Sequence, residues 1–409
     1  MPRPEGVQRP FAEKRGRQAR HYRHEWGSHV KRTIYGEEHE IFRLSVRRFL
    51  ESQAVPHYES WEQAGCTPNE FWKDAGAHGL LCPQIPETYG GPGGDYRNLC
   101  IVSEEMAALG IMAPNLQVHS DIVSQYVLNY GSHAQKLHWL PKMVSGEVRG
   151  AIAMSEPDTG SDLQAIRTSA IRDGDYFVLN GTKTFITNGD QAGVYIVVAK
   201  TNPELGSKGI TLFLLPRDLQ GFERGRKLNK LGLRAQDTAE LFFNDVRLPH
   251  SCLLGSEGHG FAYLMNELPQ ERLGIAVTAV AVAQRAFDLT LAYTRERTAF
   301  RKPIVDFQNT RFKLAEIRAE LEVAWAFLDK CIATHCDGAL TVPEVAMAKL
   351  WTSELQGRVI DTCLQFFGGY GYMLEYPISK MYVDARVARI YGGTSEIMKE
   401  IIGRSLDDS

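Results

Sequence analysis

Apolar positions along this chain fall into three successive patterns. From Tyr35 to about Gly150 the spacing is helical. Ile41, Leu44, Val46, Phe49 and Leu50 define a first amphipathic run that Pro56 ends. Further helical stretches cover 99–109 and 121–130, and the segment ETYGGPGG at 87–94 reads as a connecting loop. From Ala151 to about Leu254 the pattern is that of strands. The run 176–179 ends at Asn180-Gly181, a hairpin signal, and 240–243 ends at Asn244-Asp245. Segments 194–199 and 209–215 are short β-rich runs. From about Gly260 to Arg404 the spacing is helical again, with long segments at 273–294, 312–333 and 343–367. The expected fold class is α+β: a basic tail at 1–32, an N-terminal helical domain at 33–150, a middle antiparallel β domain at 151–262 and a C-terminal helical bundle at 263–409.

Composition narrows the class. The 409 residues are 44% hydrophobic and carry a net charge of -3, which supports packed cores and leaves no basic footprint for nucleic acid. The most apolar stretches, such as 273–283, fall short of the roughly 20 residues of a membrane span. Seven cysteines without a CxxC pair read as reduced thiols, and no spacing suggests a metal site. Residues 1–32 hold nine Lys/Arg against three Glu. They read as a solvated tail, with a transit peptide as the alternative, so the compartment is cytoplasmic or, if the tail is cleaved, the mitochondrial matrix.

Several local segments carry more information. They are AMSEPDTGSD at 153–162, GTKTFITNG at 181–189, RTAFRKP at 297–303, QFFGGYGY at 365–372, EYP at 375–377 and YGGTSEI at 391–397. In this order and spacing they resemble the acyl-CoA dehydrogenase family, from about residue 33 to the end. AQDTAELFF at 235–243 and LPQERL at 268–273 point to the long-chain branch.

The resemblance implies FAD as cofactor, an acyl-CoA thioester as substrate, an electron-transfer flavoprotein as electron acceptor, and a homotetramer built as a dimer of dimers. It assigns the flavin ring to Ile152, Met154, Ser155, Gly160 and Ser161, and to Phe185, Ile186 and Thr187. Ser161 also lies near the thioester. Phe185 stands where the family often has Trp; by itself it reads equally as strand-end core. The ADP half falls to Arg297, Gln308 and the loop Gln365, Phe366, Phe367, Gly368 and Gly369 of a neighbouring subunit, with Thr394, Ser395 and Glu396 completing the site. Arg301 departs from the Gly usual in the family, which bears on the local turn. A Rossmann reading fails, because no GxGxxG follows a strand.

Removing an α-proton from a thioester requires a carboxylate whose pKa is raised by a desolvated pocket. Many family members carry that Glu directly after the Tyr of the last motif, where this chain has Gly392. A minority place it on the helix that opens the C-terminal domain, which here is Glu271. Taken alone, Glu271 also reads as a first-turn carboxylate after Pro269, favoured by the helix dipole. Glu267, one turn earlier, is the alternative base. Pro269, Gln270, Arg272, Gly392 and Gly393 are expected at the substrate, with a backbone N–H near Gly392 and a flavin ribityl hydroxyl polarising the thioester oxygen. The acyl pocket is expected to draw on 105–123. The implied function is α,β-dehydrogenation of a medium- to long-chain acyl-CoA to trans-2-enoyl-CoA in fatty acid β-oxidation. The rivals are an oxidase or monooxygenase on the same fold, and a non-catalytic acyl-CoA-binding protein that has lost flavin.

Overall fold

A computed structural model describes residues 30–406, and from Ile34 onward the chain forms one compact unit. Most of the basic tail, residues 1–29, lies outside the described residues. Helix α1 (Glu37–Gln53) opens with Glu37, Glu38 and Glu40 in its first turn, the favourable end of the helix dipole for acids. Val46, Phe49 and Leu50 enter the core, whereas Ile41 and Leu44 stay exposed. Two short helices follow, α2 (Tyr58–Ala64) and α3 (Asn69–Ala77). Helix α4 (Tyr96–Leu109) is capped by Asp95, whose carboxylate accepts from the Arg97 N–H at 2.8 Å, and it stops at Gly110 in the left-handed region. A π-helical turn (Val118–Val123) leads into α5 (Ser124–Tyr130), and α6 (His133–Val144) completes the zone.

The middle zone is an eight-stranded sheet. Its strands are β1 (Gly150–Ala153), β2 (Ser169–Asp173), β3 (Tyr176–Thr187), β4 (Val194–Lys200), β5 (Ile210–Pro216), β6 (Phe222–Lys227), β7 (Thr238–Pro249) and β8 (Leu253–Leu254). The order is β6-β7-β3-β2-β4-β5-β8, with β1 joined to β4. The sheet is mixed rather than purely antiparallel, since β1 runs parallel to β4 with Gly150 opposite Val194. The expected hairpin at Asn180-Gly181 does not form. Strand β3 continues through it with a register shift between Leu179 and Gly181, and the turn lies at Gly174, between β2 and β3. The second signal, Asn244-Asp245, is likewise inside β7. The two sites face each other: the Asn180 Nδ2 donates to Asp245 Oδ1 at 3.0 Å, and the Asp245 N–H donates to Asn180 Oδ1 at 2.8 Å. These polar residues therefore build a paired bulge, not a chain reversal.

Helix α7 (Gly260–Glu296) begins the C-terminal zone, a few residues before position 263. After the small ribbon β9 (Thr298–Ala299) and β10 (Lys302–Pro303) come α8 (Gln308–Cys336), α9 (Val342–Phe367), α10 (Pro377–Ala385) and α11 (Ser395–Ser405). Helix α9 starts with a capping box between Thr341 and Glu344. Contrary to the sequence reading, α7 is long and apolar enough to cross a membrane: it has 37 residues and an 18-residue window of mean hydropathy 1.4. That apolarity goes into packing, because 61% of the window is buried and the helix lies against α4, α8 and α9. The described cysteines are free and, except for Cys66 and Cys336, buried. No cluster of metal-ligating side chains occurs among the described residues.

Candidate functional site

Because α7 starts at Gly260, Glu271 lies well inside the helix, and Pro269 is interior as well. The first-turn explanation for Glu271 is thereby overturned. The Glu271 side chain is only 8% exposed, and its Oε1 accepts from the Tyr126 hydroxyl of α5 at 3.2 Å. Burial pushes its carboxyl pKa up to about 7, with Glu267 adding to the rise and with Tyr126 and Arg272 opposing it. Glu267 is engaged elsewhere, its Oε1 accepting from Asn129 Nδ2 at 2.8 Å.

Ile275 and Thr278 follow Glu271 on the same helix face, at the i+4 and i+7 positions, and both line a cavity between α7 and α4. Val102, Met106, Ile111 and Leu116 make other walls of it apolar, and Tyr391 closes one side. Much of the expected 105–123 stretch contributes, but Glu105 does not. Its carboxylate turns away to Arg47 (2.6 Å) and Arg43 (3.1 Å) of α1. Gln270 also points elsewhere: its Nε2 donates to Asp121 O at 2.9 Å, and His335 Nε2 lies 3.1 Å from its Oε1.

Next to Arg272, the turn between Tyr391 and Thr394 takes left-handed backbone at Gly392 (φ 64°) and Gly393 (φ 98°), which glycine adopts without strain. Arg272 Nε donates to Gly392 O at 3.1 Å. Lys349 of α9 donates to Gly393 O at 2.6 Å. Sequence reasoning missed Lys349. The available signal was a lysine on the apolar stripe of α9, where Val345, Ala348 and Thr352 are also buried. Burial and the like charge of Arg272 lower its pKa to about 8.

A second group of predicted residues gathers where β1 ends against β3. Lys183, fully buried, donates to Glu156 Oε1 at 2.8 Å and to Met154 O at 3.0 Å. The Glu156 carboxylate also accepts the Arg167 and Thr168 N–H groups, and the Thr184 N–H donates to Ser155 O at 3.0 Å. These bonds hold Met154 and Ser155 against Lys183 and Thr184, directly before Phe185. Phe185 is 71% exposed with φ 59°, which overturns the strand-end core reading. The Ile186 side chain is buried in the sheet core, and its carbonyl accepts from the Gly189 N–H at 3.0 Å. Thr187 Oγ1 accepts from Gln236 Nε2 at 3.2 Å, while Gly160 and Ser161 lie exposed on the following loop. Ile152 is half-buried in β1.

A third group lies at the far end of α9. Arg297 shares a shallow groove with Gln365, Phe366, Phe367, Gly368 and Gly369. A Cβ at Gly368 or Gly369 would meet nothing within 4 Å, so the groove is open there. Gln308 opens α8 and does not line this groove. Arg301 adopts φ 69°, the left-handed conformation that glycine would take without cost. Thr394, Ser395 and Glu396 stand apart from Arg297. Ser395 Oγ donates to Glu354 Oε1 at 2.6 Å, and Gln365 lies roughly 16 Å further along α9 at about 1.5 Å per residue.

Family models describe the same three zones. The acyl-CoA dehydrogenase N-terminal domain matches residues 36–147, the middle domain 151–246 and the C-terminal domain 258–406. With the helix–sheet–helix architecture, these matches establish that the chain belongs to the acyl-CoA dehydrogenase family, whose members are flavoprotein oxidoreductases. Within it the chain is 51% identical to the mitochondrial long-chain specific acyl-CoA dehydrogenase of Sus scrofa, over 92% of this chain and 88% of that one. The solved structure of an acyl-CoA dehydrogenase from Geobacillus kaustophilus matches with a TM-score of 0.91 at 47% identity, over 92% of this chain and all of the other. A glutaryl-CoA dehydrogenase from Mycobacterium smegmatis, solved in complex with FADH2, matches with a TM-score of 0.86 at 31% identity, over 92% and 96% of the two chains.

Proposed function

We propose that this protein dehydrogenates a medium- to long-chain acyl-CoA thioester, straight or branched, to trans-2-enoyl-CoA, as a step of fatty acid β-oxidation. The observation that carries the reading is Glu271: a buried carboxylate with a pKa near 7, on the same face of α7 as the residues lining an apolar cavity. Such a group is ionised enough at neutral pH to take an α-proton and basic enough to hold it. Gly392 leaves the other family position without a carboxylate, so the proton has one destination. The turn at Gly392 and Gly393 offers N–H groups toward the thioester oxygen, which draws charge from the α-carbon.

The residues present fit FAD. Phe185 projects from an otherwise packed sheet end, Ser155 and Thr187 in the neighbouring segments offer hydroxyls, and Arg297 with the open Gly368 and Gly369 suits a diphosphate. FAD held by these residues would supply the hydride acceptor for the β-carbon. As the family resemblance implies, the proposed site is completed by two subunits in a homotetramer arranged as a dimer of dimers. The proposed electron acceptor is an electron-transfer flavoprotein. The compartment is the cytoplasm if the basic tail is retained and the mitochondrial matrix if it is removed.

The test is anaerobic titration of the yellow holoenzyme with saturated acyl-CoAs of increasing length. Bleaching of the flavin with formation of the 2-enoyl product supports the reading. Absence of bleaching with every chain length refutes it, and rapid peroxide release in air would move the assignment to an oxidase.

A further inference from the structure

We propose that Lys349 is a positioning residue for the thioester: with Arg272 it holds the carbonyls of the Gly392–Gly393 turn, leaves the turn's N–H groups free for the thioester oxygen, and so sets how acidic the α-carbon becomes. The proposal rests on the dehydrogenation reading above.

Consecutive carbonyls of this turn each receive a cation. Arg272 Nε donates to Gly392 O at 3.1 Å, and Lys349 Nζ donates to Gly393 O at 2.6 Å. The next residue, Thr394, caps α11, its hydroxyl accepting from the Ile397 N–H at 3.3 Å. The turn is therefore gripped along its length through its acceptors. Its donors are left over: the N–H groups of Gly392 and Gly393 have no acceptor among the described residues. Two glycines with positive φ, carbonyls tied back and amides free, make a concavity that presents N–H groups to an anion.

The choice of lysine carries the argument further. Lys349 is fully buried, and Arg272 beside it bears the same charge, with Glu354 and Glu396 as the opposing charges nearby. A buried ammonium is expensive to desolvate. A neutral donor such as Gln could hold one carbonyl at lower cost. A cation behind the turn adds what a neutral donor lacks, a positive potential at the amides where negative charge develops as the α-proton leaves. In that step the α C–H bond breaks, the proton goes to the Glu271 carboxylate, and the electron pair delocalises onto the thioester oxygen.

The experiment uses the holoenzyme and a 3-thiaacyl-CoA, whose α-proton can be lost but whose sulfur in place of the β-carbon cannot give a hydride. Exchange of the α-protons in D2O is followed by NMR, beside the Kd of the analogue, the flavin content and the melting temperature. In Lys349→Met, exchange should fall about 10- to 100-fold while analogue affinity stays within about threefold and flavin content is unchanged. Lys349→Gln, which keeps a donor without the charge, should lie between Met and Lys. Exchange in Lys349→Met within twofold of the parent overturns the proposal, as does full exchange in Lys349→Gln. If Lys349→Met does not fold, Lys349→Gln decides alone: a clear loss supports the proposal and parental exchange overturns it. Failure of the parent enzyme itself to bleach with acyl-CoA would strike the dehydrogenation reading instead.

Discussion

Replacing Glu271 by Gln keeps the side-chain volume and removes the titrating group, so one substitution reads both chemistry and stability. In the parent, burial raises the Glu271 carboxyl from an ordinary 4.5 to about 7. At about 1.36 kcal/mol per pKa unit, ionising it in place costs about 3 kcal/mol relative to ionising it in the unfolded chain. The sign follows from the raised value. The folded state holds this proton more tightly than the unfolded state, so the group's stabilising contribution is full below pH 4.5 and is lost as pH rises toward 7. Glutamine mimics the protonated form at every pH, and its carbonyl still accepts from Tyr126. The variant should therefore match the parent near pH 4.5 and exceed it by up to about 3 kcal/mol at pH 8. Melting temperatures of parent and variant, taken at pH 5, 6.5 and 8 in one buffer system, measure this. In the same preparations flavin bleaching by acyl-CoA should slow about 10²- to 10⁴-fold, with flavin still bound. Near-parental bleaching, or a stability difference that does not change with pH, would refute the assignment of a buried, proton-accepting Glu271, and Glu267→Gln would be measured next.

Tyr126→Phe removes a hydrogen bond that favours the ionised carboxylate, so the pH midpoint for flavin reduction should move upward by about one unit from its parental position near 7, read from a pH profile of the bleaching rate. Arg297→Ala should release FAD on gel filtration, since a charge-assisted contact to phosphate contributes about 1.5–3 kcal/mol; full occupancy with unchanged affinity would remove Arg297 from the site. Gly392→Glu in the Glu271→Gln background should fail to restore turnover, because φ is 64° and a Cβ there would collide with Ile275 Cδ1; measurable recovery would show that the turn yields more readily than its packing suggests. Deleting residues 1–32 should leave flavin content and turnover unchanged, as this polar, basic segment has little apolar surface to bury.

The long elements were legible because their periodicity extends over many turns. Helices α8 and α9 were each expected within a few residues of their observed ends, whereas α7 begins 13 residues before its expected start at 273. Helices α2, α3 and α6 were not read, since 7–12 residues offer too few apolar repeats to separate from loop. The Asn180-Gly181 and Asn244-Asp245 pairs misled because the residues that favour tight turns also suit bulges, and only cross-strand pairing distinguishes the two. At the site, the vacancy at Gly392 singles out Glu271 as the candidate base. Its environment was not legible: Tyr126 lies far away in sequence, and the helix start at Gly260 carries no capping side chain to announce it. Lys349 was hidden for a different reason. In one dimension a lysine among alanines and leucines resembles a solvated helix position, and its partner Gly393 contributes a backbone carbonyl with no sequence signature.

The proposed location of the base on α7 rather than on the 391–394 turn has a physical consequence. A carboxylate on the turn would depend on a two-glycine reversal for its aim. On α7 it is fixed by a helix packed against α4, α8 and α9, and its reach is set by the same turn of helix that presents Ile275 to the cavity. Rigid elements hold a reacting group more closely than loops do. The turn, relieved of the carboxylate, keeps glycine at both positions, and Ile275 packs close beneath Gly392, in space that a side chain there would need. Arg272, next to Glu271 in sequence, ties the two halves together: it lowers the pKa of the base on α7 and anchors the carbonyl of Gly392 on the turn. In the proposed reading the proton acceptor and the turn that carries the thioester-binding amides are thus both tied to one stretch of α7, which helps to set the separation that α-proton removal depends on.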